Sequence, residues 1–296
     1  AITSRGHRNS EGPIMTLPRL ALALLLAVAP PAFAETSAEA PVAEASVDHL
    51  GEVMQLEALF QVLREEGLAH GEMLKTDMFP SGGGAGWDAS VSHIYDIAHL
   101  RAGFAAALEK SLGPDPEAMA EITAFFASDL GQRILSLEIE ARRTFLDTAA
   151  EEAAQVAADD AAAARDPRVA QLRRMIAAAD LLEMNVAGAL SGNLAFMTGM
   201  ASTGAYGGVP DDQILSDVWA QEDQIRADTS TWLYSYLGLA YSPLTEAEME
   251  SYIRFWESPA GQRLNTALFS AFDTVFREVS LELGRAAGTA MQGRNI

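Results

Sequence analysis

Apolar positions along this chain recur three and four residues apart and nowhere settle into a sustained period of two, so helices are expected and no sheet. Amphipathic helices are predicted near 47–75 and again near 168–200. Each is followed by a glycine-rich break, Ser81 to Gly86 in the first case and Gly204 to Gly208 in the second. Then comes a helix near 88–111 or 211–239, a short one near 116–127 or 246–257, and a long closing one near 129–165 or 259–287. The punctuation agrees. Asp115-Pro116 and Asp166-Pro167 place a capping carboxylate before a proline at the first helical position. Thr245 to Glu248 reads as a capping box, and Pro210-Asp211-Asp212 opens a helix with negative charge at its start.

The two series are related in sequence. Phe125, Phe126 and Ser128 align with Phe255, Trp256 and Ser258, and Gly131-Gln132-Arg133 recurs as Gly261-Gln262-Arg263. The same offset joins Met119 to Met249 and Phe104 to Tyr234. A constant offset over so many positions implies a duplicated unit. The expected fold is therefore all-α, with two tandem helical repeats of about four helices each packed into one pseudo-symmetric body. Repeat 1 is assigned to residues 47–165 and repeat 2 to 166–290, with 291–296 as a tail. The Ala-rich, acidic stretch from Thr148 to Arg165 reads as a solvated helical connector between them.

Ahead of the repeats, Met15-Thr-Leu-Pro-Arg19 leads into the apolar run Leu20 to Val28 and then Ala32-Phe33-Ala34. A positive n-region, a short apolar core and an A-x-A site in that order describe a secretory signal peptide. The apolar run is too short to span a bilayer, which takes roughly 20 apolar residues. Residues 1–34 are accordingly read as an upstream extension and a removable signal, cleaved near Ala34, and 35–46 as a flexible acidic lead-in. The expected location is the periplasm or the exterior, with no stable membrane anchor after cleavage.

Charge and composition narrow the function classes. Twenty basic residues stand against 41 acidic ones, a formal charge of −21. A surface of that sign repels phosphate backbones, so no nucleic-acid partner is expected. The chain holds no cysteine, which excludes disulfides, thiolate metal sites and thiol catalysis.

At Phe255-Trp-Glu-Ser-Pro-Ala-Gly-Gln262 the chain resembles an exported, helical proteobacterial family, domain of unknown function 2059. Its hallmark is an aromatic, then Ser or Thr, Pro, any residue, Gly, and Gln or Lys between two helices. The resemblance covers residues 244–288 and, less fully, 114–150. It implies export and a helical fold and carries no activity. The motif explains itself structurally. Ser258 would cap a helix with Pro259 in its first turn, Phe255 and Trp256 would pack under the corner, Gly261 would admit a neighbouring helix, and Gln262 would bond a loose carbonyl. In the first copy Phe125, Phe126, Ser128, Gly131 and Gln132 keep the pattern. Asp129 and Leu130 replace Pro259 and Ala260 there, which predicts a looser turn.

Candidate chemistry is sparse. His93-x-x-Asp96-x-x-His99 could form a Zn²⁺ or Cu²⁺ site, but two histidines six residues apart diverge around a helix, and ordinary, partly exposed histidines are the preferred reading. Adjacent carboxylates such as Glu65-Glu66 do not share a helix face and read as solvated surface. The glycine-rich loop from Gly82 to Gly86 lacks the Lys-Ser/Thr of a P-loop. Met184 to Pro210 carries no charge and includes Gly188-x-x-x-Gly192. A membrane segment is one reading of it and a buried core helix the better one. Met73, Met78 and Phe79 flank one glycine break and Phe196, Met197 and Met200 the other, which offers an apolar pocket as the alternative to plain core.

No catalytic residue and no cofactor is assigned. The sequence favours a non-catalytic interaction or envelope-maintenance protein acting on a protein partner. A binder of a hydrophobic small molecule or lipid comes second, and a hydrolase without a recognisable motif third.

Overall fold

In the computed structural model, which describes residues 46–79, 84–205 and 208–293, every regular element is an α-helix. The segments read as extension, signal and lead-in lie outside the described residues, apart from Ser46, and so do parts of both glycine-rich breaks. Helix starts follow the capping side chains. Ser46 caps α1 (Val47–Val53), Asp96 caps α4 (Ile97–Leu112), and Asp115 caps α5 (Pro116–Ala127). Ser128 caps α6 (Asp129–Thr144), Asp147 caps α7 (Thr148–Ala163), and Asp166 caps α8 (Pro167–Ala178). Thr245 and Glu248 form the reciprocal capping box of α12 (Glu246–Glu257), and Ser258 caps α13 (Pro259–Met291). Each oxygen satisfies an orphan N–H of a first turn, which is why Ser, Thr and Asp stand there.

Several predicted helices are divided. The stretch expected at 47–75 breaks into α1 and α2 (Leu56–Met78), because Gln55 adopts a left-handed conformation at φ 45°. The stretch at 168–200 breaks in the same manner into α8 and α9 (Leu181–Ser202), with Asp180 at φ 47°. The third prediction splits into α3 (Gly84–Ile94) and α4 at the Asp96 cap, and its partner into α10 (Asp211–Trp219) and α11 (Glu222–Tyr241). The long helix predicted at 129–165 ends at Thr144, and α7 restarts on Asp147. A break of one or two residues preserves the apolar phase on either side, so periodicity alone runs straight through it.

Helix α13 is the spine. It packs on α9, α4, α5, α3 and α12, while α11 packs on α7, α9, α6 and α8. A ring cluster of Phe60, Phe104 and Phe272 ties α2, α4 and α13 together, with Phe104 and Phe272 centroids 4.5 Å apart. The expected solvated connector is helical α7, exposed along most of its length, and it lies along α11 with Ala154 buried. Helix α9 holds the uncharged stretch and turns Val186, Asn193, Phe196, Gly199 and Met200 inward. Among the described residues no helix is long and apolar enough to cross a membrane. The α9–α13 backbones touch at glycines. A Cβ on Gly199 would stand 2.2 Å from the Leu281 carbonyl oxygen, and one on Gly288 would stand 3.1 Å from the Met200 carbonyl oxygen. Gly188, singled out in the sequence as half of a close-packing pair, meets nothing within 4 Å.

Candidate functional site

The corner motif is built twice. Ser128 Oγ accepts the Gly131 N–H at 3.1 Å, and Ser258 Oγ accepts the Gly261 N–H at 3.1 Å. Both serines are extended, with ψ of 158° and 157°, so the first corner is no looser for having Asp129 and Leu130 in place of Pro259 and Ala260. Cap geometry rather than proline sets the turn. A Cβ on Gly131 would lie 2.3 Å from the Phe125 carbonyl oxygen, and one on Gly261 would lie 2.0 Å from that of Phe255. These glycines therefore make room for the last turn of the preceding helix, and not for a separate neighbour. Gln132 Nε2 donates to Phe126 O at 2.7 Å and Val53 O at 2.9 Å; Gln262 Nε2 donates to Trp256 O at 2.6 Å and Ala178 O at 2.5 Å. Each amide thus satisfies the free C-terminal carbonyls of two helices. The rings of Phe125 and Phe255 stack 4.0 Å apart at 12°, with Phe126 edge-on to Phe255.

Beside the corners lies a group that sequence reading missed. The Glu138 side chain is wholly buried, where its Oε1 accepts Tyr241 Oη at 2.5 Å and Tyr252 Oη at 3.1 Å; Tyr236 Oη donates to the Glu138 carbonyl at 2.7 Å. Its Oε2 finds no partner among the described residues. Burial pushes this carboxyl up to about 8, against the smaller opposing pull of the two tyrosine hydroxyls and Arg142. The same desolvation raises all three tyrosines. One turn on, buried Arg142 grips Glu66 with Nε–Oε1 at 2.6 Å and Nη2–Oε2 at 2.9 Å. Glu66 was expected on the solvated surface with Glu65, but it is mostly buried. A signal was present in the sequence: Glu138 and Arg142 fall on the apolar face formed by Ile134, Leu135 and Ile139.

Residues 98–160 match the model of DUF2059, described as an uncharacterized protein conserved in bacteria. The matched DUF2059 segment takes in most of α4, all of α5 and α6, and most of α7. It includes the first corner, Glu138 and Arg142. The hallmark is most complete at residues 244–288, in the other corner and outside the matched range. No curated protein and no solved structure matches the chain.

The start of the matched segment, with His99, Leu100 and Gly103, joins His93 and Ile94 ahead of it in one wall of a shallow cleft. His93, Ile94, His99, Leu100 and Gly103 face Val275, Glu278, Val279 and Glu282 of α13 across about 210 Å³. His99 Nε2 is 3.5 Å from Glu278 Oε1, and both side chains are exposed. Asp96 does not join the histidines as a ligand, because its carboxylate accepts the His99 N–H at 2.9 Å and caps α4. Among the described residues no three His, Cys, Asp or Glu side chains are grouped so as to hold a metal ion.

A further buried polar group is His70, on α2. Its Nε2 has no partner among the described residues, and desolvation pushes the imidazole down to about 4.

The six residues proposed as an apolar pocket are held by different partners and do not line the cleft. Phe79 packs on Trp87 at 5.1 Å, and Phe196 and Met200 lie under Gly284 of α13. Met78 and Met197 are half-buried against core, and Met73 is 57% exposed.

Proposed function

We propose that this chain is an exported, non-catalytic interaction protein of the bacterial envelope, made of two copies of one helical unit fused about an approximate twofold axis. The Phe125–Phe255 stack carries the reading. In a twofold arrangement, matching residues meet each other only on the axis, and these two hold the same place in their corners. Reciprocal contacts support it. Arg133 reaches the Pro243 carbonyl at 2.7 Å and the Glu248 carboxylate, while Arg263 reaches the Ser111 carbonyl at 3.2 Å and Asp115 at 3.5 Å. Helix α4 lies on α13 as α11 lies on α6.

The non-catalytic part rests on where the polar groups are spent. The corner side chains cap helices, and among the described residues the carboxyl shifted furthest, Glu138, is sealed between tyrosines, out of reach of a substrate. Export rests on the signal pattern of residues 15–34. A binder of hydrophobic molecules has less support, since Phe79, Phe196 and Met200 already fill core positions.

Native mass spectrometry of the chain purified gently from the periplasm tests the reading. The expected result is a product beginning at Glu35 whose mass is protein alone, or protein with a second polypeptide. A lipid or small molecule released on denaturation would overturn it in favour of the carrier.

A further inference from the structure

Two large apolar side chains stand in the open one helical turn apart. Leu215 and Trp219 of α10 are 44% and 56% exposed, while Ile214 and Val218 of the same helix are buried. Helix α10 packs chiefly on α9, and Val218 joins Val186 and Leu190 in a small cluster separate from the main core. Half-buried Leu194, Met197 and Ile225 edge that cluster. The corresponding α3 contrasts with this. It lies on both α2 and α13, and its Trp87 is fully buried with Nε1 donating to the Gly71 carbonyl at 3.0 Å. Among the described residues nothing covers the Leu215–Trp219 side of α10.

Charge says what would cover it. Between Arg174 and Arg226 the sequence holds no Lys, Arg or His, yet it places Asp211, Asp212, Asp217 and Asp223 on or beside α10. Arg226 is engaged with Glu183 and Glu222 and neutralises neither pair of aspartates. An exposed tryptophan and leucine set in unneutralised acid suit a ligand with apolar anchors and basic flanks, and repel an anionic lipid surface. We infer that the Leu215–Trp219 face of α10 docks a basic amphipathic segment of a partner protein. Trp219 and Leu215 enter its apolar side, and Asp211 and Asp212 pair its cations. This inference rests on the interaction reading above and names the partner's chemistry.

The test uses the mature chain and a synthetic Leu/Lys peptide that forms an amphipathic helix, with affinity of every variant read by isothermal titration calorimetry and tryptophan fluorescence as a second readout for chains that keep Trp219. Trp87 and Trp256 are buried and Trp232 nearly so, so a blue shift on binding reports Trp219. Leu215→Ala with Trp219→Ala, both exposed and checked by circular dichroism, should weaken binding by roughly tenfold or more. Asp211→Asn with Asp212→Asn should weaken it at low salt and flatten its salt dependence. Leu68→Ala, an exposed leucine on α2, should change nothing. Equal binding of a Leu/Glu peptide, binding to phosphatidylglycerol vesicles through Trp219, or self-association lost in the double alanine variant would each overturn the proposal. So would unchanged affinity in that variant. Failure of the peptide to bind leaves the mass-spectrometric result of the previous section standing, so the two readings fail separately.

Discussion

A Cβ on Gly284 would stand 2.1 Å from the carbonyl oxygen of Phe196, so α13 and α9 meet backbone to backbone. No rotamer change relieves such a contact, because the obstructing atom is main chain. Gly284→Ala should cost roughly 1–3 kcal/mol, the range for overpacking a filled interior. Gly188→Ala on α9 should do the reverse, since nothing lies within 4 Å of its Cβ position. Alanine in an exposed helix interior gains about 0.5–1 kcal/mol over glycine. Urea melts of the two variants check both signs.

Arg142 and Glu66 predict a second asymmetry. The arginine is buried and gripped along its Nε–Nη2 edge by a carboxylate that is itself mostly enclosed. Removing only the carboxylate leaves a buried cation facing Glu138, a group that burial holds toward its neutral form. Glu66→Ala should therefore cost about 3–5 kcal/mol. Glu57→Ala, at an exposed pair with Arg101, should cost no more than about 1 kcal/mol. Equal losses in the two variants would contradict the buried geometry.

Stability should vary with pH in a way set by Glu138 and His70. Glu138 is raised from an ordinary 4.5 to about 8, so the folded state holds an extra proton between those values and loses stability as pH rises through them. His70 is lowered from 6.5 to about 4, so the unfolded state holds the extra proton there and stability falls as pH drops. Between about 4.5 and 6.5 the two slopes oppose and cancel, leaving a plateau with a decline from 6.5 to 8. Glu138→Gln should abolish the alkaline decline in Tm. It should also turn the plateau into a rising slope. A decline that survives in Glu138→Gln would place its origin elsewhere.

What the sequence disclosed and concealed follows one physical line. Caps and corners are local, so Asp115, Asp166, Thr245 and Ser258 could be placed from neighbouring residues alone. The bends at Gln55 and Asp180 were hidden because a single left-handed residue leaves the apolar stripe in phase. The glycines that join α9 to α13 were hidden for another reason. A small residue shows where a backbone can be approached but not by what, and the uncharged run drew attention to Gly188, whereas Gly199 and Gly284 make the contact. Glu138 was legible in principle, as a carboxyl in the register of Ile134, Leu135 and Ile139. The cleft at His93 and His99 was not, since its second wall is the far end of the chain.

The Phe125–Phe255 stack offers a sharper test of the fused-unit reading than either corner alone. If the rings lie on an approximate twofold axis, each sees nearly the same surroundings, and Phe125→Leu and Phe255→Leu should destabilise by similar amounts. Their coupling in a double-mutant cycle should be about 0.5–1.5 kcal/mol, the range for a well-stacked aromatic pair. The surroundings are not identical, because Phe126 sits edge-on to Phe255 at 5.2 Å while Phe125 also stacks on Tyr252 at 6.0 Å. Phe255 is also the more deeply buried ring, Phe125 being half-buried, so Phe255→Leu should be somewhat the more costly. A cycle with no coupling, or single losses differing by several kcal/mol, would mean that the two corners do not share an axis there. Arg133→Ala and Arg263→Ala should match each other in the same sense, because each crosses to the other unit's helix corner.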